Sequence, residues 1–426
     1  MISLLVIGLC FPVIAGGQQE PAGEGRPITP AGSLVSDAST HLPAVGAMPM
    51  TMLRSPDSLG HRGKGRYLLV VNSGFGVQFS DATNRAQQSI SVIDLNATPA
   101  PQVIQNAYFP TPQSANVGLA FSPAADPAGV FTMYVSGGFE NKVWVFRFDP
   151  KAAAPIKPAS PGPDTKVQAP ALDLAKRGEA SPPDYNKGKA ALYPTGLALT
   201  SDGNTLVIAN NLGDSVTIIR QLRSARAMAR LDLHHPGKPG QNIYPYGVVI
   251  LGNGRTSRAY VSCWNDSSVA VISLNGKSAV QKYIAGDRHP TAMTPNAAGT
   301  RLFVANSDAD SVSVIDTASN QELERIDVRL AEDALPGASP EGLALSEDEK
   351  TLYVANAQSN AVAVVELSGS ARGEKTAANI SATAKSKVLG FIPTGQYPSA
   401  LFVADGKLFV GNGKGTGFEP SSMRVN

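Results

Sequence analysis

Cysteine is nearly absent: the 426 residues include only Cys10 and Cys263, with no CxxC or CxxCH pair. A cysteine-based zinc site and covalent c-type haem are therefore excluded. Histidine is scarce as well, limited to His41, His61, His234, His235 and His289, and none falls in an HExxH pattern. The adjacent His234 and His235 in "DLHHPGKPG" would point to opposite faces of a strand, so they read as surface residues. An excess of one charge is also missing. Lys and Arg number 36 against 34 Asp and Glu, a net +2, and a nucleic-acid surface would need a clustered basic excess. Neither GxSxG nor a P-loop is present.

Long apolar runs are limited to the first residues, "MISLLVIGLCFPVIAGG". This run is too short for a comfortable membrane span but has the length of a secretory leader, with small residues near Ala15 to Gly17 for cleavage. No Lys or Arg precedes it. Leu9 before Cys10 is not the small residue that a lipoprotein anchor requires. The expectation is a periplasmic or secreted protein whose remaining Cys263 has no disulfide partner within the chain.

What is abundant is glycine (41) and proline (32), and they punctuate a repeat. "YPTGLALTSDGNTLVIANNLGDSVTIIR" starts at Tyr193, and "YPYGVVILGNGRTSRAYVSCWNDSSVAVISL" at Tyr244. "HPTAMTPNAAGTRLFVANSDADSVSVIDT" starts at His289, "SPEGLALSEDEKTLYVANAQSNAVAVVEL" at Ser339, and "YPSALFVADGKLFVGNGKGTG" at Tyr397. More divergent copies begin at Met48 and Asn116, which makes seven. Each holds three apolar stretches of strand length and most a weaker fourth, separated by polar turns. Helical periodicity is almost absent. A unit of this length and pattern predicts an all-β fold, a seven-bladed β-propeller of four-stranded antiparallel blades.

Register supports the prediction. Two residues after the repeated proline stand Thr51, Gly118, Gly196, Gly247, Ala292, Gly342 and Ala400, small side chains where inner strands crowd the axis. The next residue is large and apolar in every copy: Met52, Leu119, Leu197, Val248, Met293, Leu343 and Leu401. That alternation turns one strand face into an interblade core. The chain divides into a leader (1–17), a flexible segment (18–31), one propeller (32–422) with peripheral insertions at 150–190 and 369–386, and a tail (423–426). In blade seven, residues 32–47 can supply an outer strand, whereas the third strand has no good donor, so the seventh blade is expected to be incomplete.

Segments such as "TLYVAN", "LFVAN" and "NSDADSVSVIDT" resemble the YVTN-type β-propeller repeat family over nearly all of residues 45–415. "RPITPAG", "YVSGGFENKVWVF", "YPYGVVILGNG" and "GFIPTGQYPSALFVADGKLFVGNGKGTG" resemble more narrowly the propeller half of bacterial exported proteins that carry an alkaline-phosphatase-superfamily phosphoesterase domain. The resemblance implies a propeller module partnered by such a domain, which this chain does not contain.

For chemistry, one face of the propeller collects Tyr193, Tyr244, His289 and Tyr397, each just before its proline. A residue before proline is expected to be extended, so these rings read first as braces on the turn and second as ligand contacts. Trp264 joins them from the turn of blade four, and Arg85, with Asp81, from a long blade-one loop that could form a lid. The turn carboxylates Asp214, Asp266, Asp308 and Asp310 could together hold a hard cation, but Asp, Asn, Gly and Ser are also ordinary turn formers. No catalytic residue, metal or cofactor is assigned. The expected function is a non-enzymatic exported scaffold that binds a protein domain or small ligand on its upper face. The alternative is a propeller hydrolase or lactonase with a metal-assisted site in the central channel, which asks for two convergent carboxylates and a His or Arg.

Overall fold

A computed structural model describes residues 45–57, 64–74, 88–109, 113–158, 169–175, 192–222, 224, 226–331, 333–369 and 385–414, together with the backbone of 3–7 and 40–42. Seven sheets radiate from one axis. Blades one and three to six each contain four consecutive antiparallel strands, as in blade five: Pro290–Pro295, Arg301–Asn306, Ser311–Asp316 and Gln321–Asp327. Blade two draws its outer edge from the Pro-rich insertion, where Ile156–Lys157 and Ala171–Asp173 both pair with Lys142–Phe148.

The second and third strands are buried because each blade is covered on both faces. In Arg301–Asn306, Phe303 and Ala305 enter the core shared with blade six, while Leu302 and Val304 enter the one shared with blade four. This is the period-two rule of a pleated strand. The described residues form seven such interblade cores, and each contains one of the seven large residues that follow the small one, from Met52 to Leu401. Between blades one and two, Phe109 packs edge-on against Phe146 at 5.9 Å; burying such a ring contributes roughly 1.5–3 kcal/mol.

The "VAN…SVSV" wording has its own cause. Asn72, Asn210 and Asn306 are buried at the ends of second strands, and each amide donates to two hydroxyls on the third strand, as Asn306 Nδ2 does to Ser311 Oγ at 3.1 Å and Ser313 Oγ at 3.0 Å. A buried amide needs such partners.

The ring closes between blades seven and one. Met52, Leu68 and Val70 pack with Ala400 and Phe409, Ser399 Oγ donates to Pro49 O at 2.5 Å, and Arg54 pairs with Asp405 at 3.1 Å. Blade seven is built differently from the others. Its third-strand place beside Lys407–Asn412 is taken by Ser3–Ile7, part of the run read as a leader, and Thr40–Leu42 lies outside that. Both pairings are parallel, so this blade is mixed rather than antiparallel. An exposed strand edge accepts any extended segment that can satisfy its backbone groups.

Candidate functional site at the channel mouth

The inner strands converge so tightly that an added Cβ at Gly118 would lie 2.4 Å from Thr195 O, and one at Gly196 2.5 Å from Tyr246 O. Small side chains here have the steric reason anticipated from the repeat. Hydroxyls complete the hoop: Thr51 Oγ1 donates to Val117 O at 2.6 Å and Thr195 Oγ1 to Tyr246 O at 2.9 Å.

The turn leading into each inner strand departs from expectation. Met48, Tyr193, Tyr244, His289, Ser339 and Tyr397, each before its proline, have φ between 48° and 60°. They are left-handed, not extended, which is costly for non-glycine residues. The preceding blade holds four of them there. Asn141 Oδ1 accepts from Tyr193 N at 3.2 Å, Asp214 Oδ1 from Tyr244 N at 2.9 Å, Asp310 Oδ1 from Ser339 N at 3.1 Å, and Asn360 Oδ1 from Tyr397 N at 3.0 Å. Asp214 and Asp310 are therefore latches between blades. Asp266 forms an ion pair with Lys238 at 3.1 Å, and Asp308 lies near His289. The four carboxylates do not converge, and among the described residues no three His, Cys, Asp or Glu side chains are grouped as metal ligands.

Blade four departs from the pattern and builds a rim. Trp264 stacks on His289 of blade five with ring centres 3.6 Å apart and planes at 11°. Tyr244 tilts against the indole at 6.3 Å. Residues 238–244 zip onto the turn that carries Trp264: Lys238 Nζ donates to Asp266 O at 2.6 Å, Gln241 Nε2 to Asn265 O at 2.8 Å, and Asn265 Nδ2 to Asn242 O at 2.8 Å. His289 Nδ1 is 3.6 Å from Asp308 Oδ2, beyond hydrogen-bond range. On blade seven, the Lys414 ammonium sits 4.4 Å over the Tyr397 ring. Arg85 and Asp81 lie outside the described residues.

Below this rim is a cavity of about 310 Å³ lined by all seven inner strands. Its chemistry comes from two residues that the repeat did not single out, Tyr246 and Glu341, each immediately after the blade proline. Glu341 accepts from Ser339 Oγ at 3.4 Å, and burial pushes its carboxyl up to about 7. It is partly open to the channel yet ringed by protein. Burial raises the Tyr246 phenol, and the charge of Glu341 and the phenols of Tyr397 and Tyr193 raise it further. Tyr397 is pushed up to about 12 by burial and then by Glu341. Burial also raises Tyr193, against a hydrogen bond with Asn116. Of the expected set, Tyr397 lies close enough to feel the charge of Glu341, and Tyr193 and Tyr397 both lie near Tyr246, whereas Tyr244, Trp264 and His289 stand on the rim. A carboxyl poised near neutrality beside phenols that remain protonated can move a proton and donate hydrogen bonds.

The position after the proline could have been read from sequence. It is Met50, Val117, Thr195, Thr291 and Ser399 in the other blades, so one carboxylate and one phenol stand out in a column of apolar or hydroxyl residues. Channel-facing substitutions of that kind break the repeat without serving the core.

A family model described as "Lactonase, 7-bladed beta-propeller" matches residues 256–390, a stretch that includes Trp264, His289 and Glu341. No curated protein matches the chain. Among solved structures, it is similar to a periplasmic gluconolactonase of Pseudomonas aeruginosa, at 18% identity over 81% of this chain and 88% of the other, with TM-score 0.52. A protein of Bacteroides uniformis assigned as a 6-phosphogluconolactonase shares 14% identity over 85% and 90%, with TM-score 0.52. Hydrazine synthase of Kuenenia stuttgartiensis shares 16% over 88% and 96%, with TM-score 0.54. At these identities the likeness establishes the propeller fold. The lactonase match overturns the expectation that this chain is a scaffold without enzymatic activity.

Proposed function

We propose that the chain is a lactonase that opens a cyclic ester at the mouth of its central channel. The observation that carries this reading is Glu341, a carboxyl held near neutrality in the channel wall, close to Tyr246 and Tyr397. It lies within the residues that resemble the lactonase family. The metal-assisted version considered from sequence asks for two carboxylates with a His or Arg in the channel. The cavity presents one carboxylate, Glu341, and one phenol, Tyr246, so the chemistry derived from this chain's own residues is acid–base.

In the reaction, ionised Glu341 takes a proton from a water molecule as the water oxygen bonds to the lactone carbonyl carbon. The carbonyl oxygen gains the electron pair and accepts hydrogen bonds from the Tyr246 and Tyr397 hydroxyls, which stay protonated at working pH. Collapse breaks the ring C–O bond, and Glu341 returns its proton to the departing alkoxide, leaving a hydroxy acid. General acid–base catalysis contributes about 10²–10⁴-fold, and each oriented donor to the oxyanion about 10²–10³-fold.

The small ligand expected on the upper face is, in this reading, the lactone. The test is a pH-stat assay over a panel of γ- and δ-lactones, D-glucono-1,5-lactone included, with spontaneous opening subtracted. Acid release by the wild type that is absent with Glu341→Gln supports the reading; no release above background on any lactone refutes it.

A further inference from the structure

The 310 Å³ cavity has one formally charged side chain, Glu341, and no Lys, Arg or His lines it among the described residues. Among the described residues, the basic groups near the mouth stand outside it and most are engaged. The Lys414 ammonium lies on the Tyr397 ring, Lys238 pairs with Asp266, Lys142 pairs with Glu140, and Arg288 is exposed next to His289. The His289 ring is stacked on Trp264 at the rim. Phosphate is normally recognised by Arg forks, Lys point charges or helix N-termini. Here its oxygens would meet the Glu341 carboxylate, the Tyr246 phenol, and apolar side chains such as Met50, Val117 and Met293.

We infer that the channel selects uncharged lactones, rejects phosphorylated ones, and expels its own product by charge. This inference rests on the lactonase reading and adds the substrate class to it. A neutral lactone enters without repulsion. Hydrolysis bonds the water oxygen to the carbonyl carbon, cleaves the ring C–O bond, and yields a carboxylate once the new acid loses its proton to solvent. That anion then faces Glu341, itself ionised again, in a partly desolvated site where like charges repel more strongly than in water. Substrate and product differ by one negative charge, and the wall favours the one without it.

The experiment compares kcat/KM for D-glucono-1,5-lactone and its 6-phosphate at about pH 8, with the full chain. A preference of about tenfold or more for the uncharged lactone is expected from repulsion in a partly desolvated site. Equal or greater activity on the phosphorylated lactone overturns the charge selection while leaving the lactonase reading intact. Failure on both, and on the wider lactone panel, overturns the two together. A second measurement is independent of turnover. Gluconate binding, followed by calorimetry, is expected to be weaker to the wild type than to Glu341→Gln, and equal or tighter binding to the wild type contradicts product expulsion. A Met293→Lys substitution, which places an ammonium on the cavity wall, is expected to narrow the preference for the uncharged lactone.

Discussion

Glu341 on the inner strand of blade six sits close enough to Tyr246 on that of blade four for its charge to raise the tyrosine's pKa. The two are nearly one hundred positions apart in sequence and come together only because the ring closes. Each follows the proline that opens its inner strand, and those two strands approach their neighbours closely at Gly247 and Gly342. The channel wall at this level is thus set by backbone packing, and the side chains on it are free to carry chemistry.

Glu341 should weaken the fold as pH rises. Its folded pKa of about 7 exceeds the ordinary 4.5, so the unfolded chain loses this proton first. Stability on account of this group is complete below about pH 4.5 and declines as pH rises to about 7. The difference corresponds to roughly 3 kcal/mol at most. Chemical denaturation at pH 8 should find Glu341→Gln more stable than the wild type, with the gap closing at pH 4.

Tyr246→Phe removes a donor and keeps the ring. The expected result is a fall in kcat of about 10²-fold with little change in KM, since the hydrogen bond strengthens as the oxyanion forms. A rise in KM alone would mean that the phenol binds ground-state substrate instead.

His289→Ala should be tolerated far better than any change at Glu341. The imidazole is stacked on Trp264 at the rim and does not line the cavity. A loss of less than about tenfold in kcat/KM is expected, carried by KM, as for uniform binding. Steady-state kinetics on the same lactone decides.

Lys238→Met leaves the Asp266 carboxylate, whose side chain is 0% exposed, without its ion pair. Removing one partner of a fully buried pair costs about 3–5 kcal/mol, but Lys238 is 40% exposed and Ser268 Oγ still donates to Asp266, so about 1–2 kcal/mol is expected. Adding Asp266→Asn to the same chain should recover most of that loss. Thermal unfolding of the single and double variants checks this, and near-UV circular dichroism reports whether the Trp264 environment shifts when the ion pair is lost.

The fold was legible because it is written seven times. The small residue and the large apolar residue recur in register in all seven copies and the proline in six, with Asn116 in blade two, and each large residue lies in a separate interblade core. The site was legible only in part. Aromatic residues before the prolines drew attention to Tyr193 and Tyr397, but the general rule for pre-proline residues predicted extended backbone where the chain is left-handed. That geometry depends on carboxylate and amide latches from the preceding blade, a tertiary effect invisible to local rules. Asp214 and Asp310 illustrate the same limit: the side chain that caps a backbone N–H could equally bind a cation, and only the fold distinguishes the two. Blade seven depends on pairing between chain positions some four hundred residues apart, Ser3–Ile7 with Lys407–Asn412, which no repeat pattern specifies.

The central claim is that Glu341 moves the proton during lactone opening. The most direct measurement is the pH dependence of kcat/KM for the wild type and Glu341→Gln on one uncharged lactone. The account predicts a wild-type rate that rises with pH to a plateau through an apparent pKa of about 7, and a Glu341→Gln rate lower by about 10²-fold or more with that ionisation gone. Equal rates, or an unchanged profile in the variant, would contradict it.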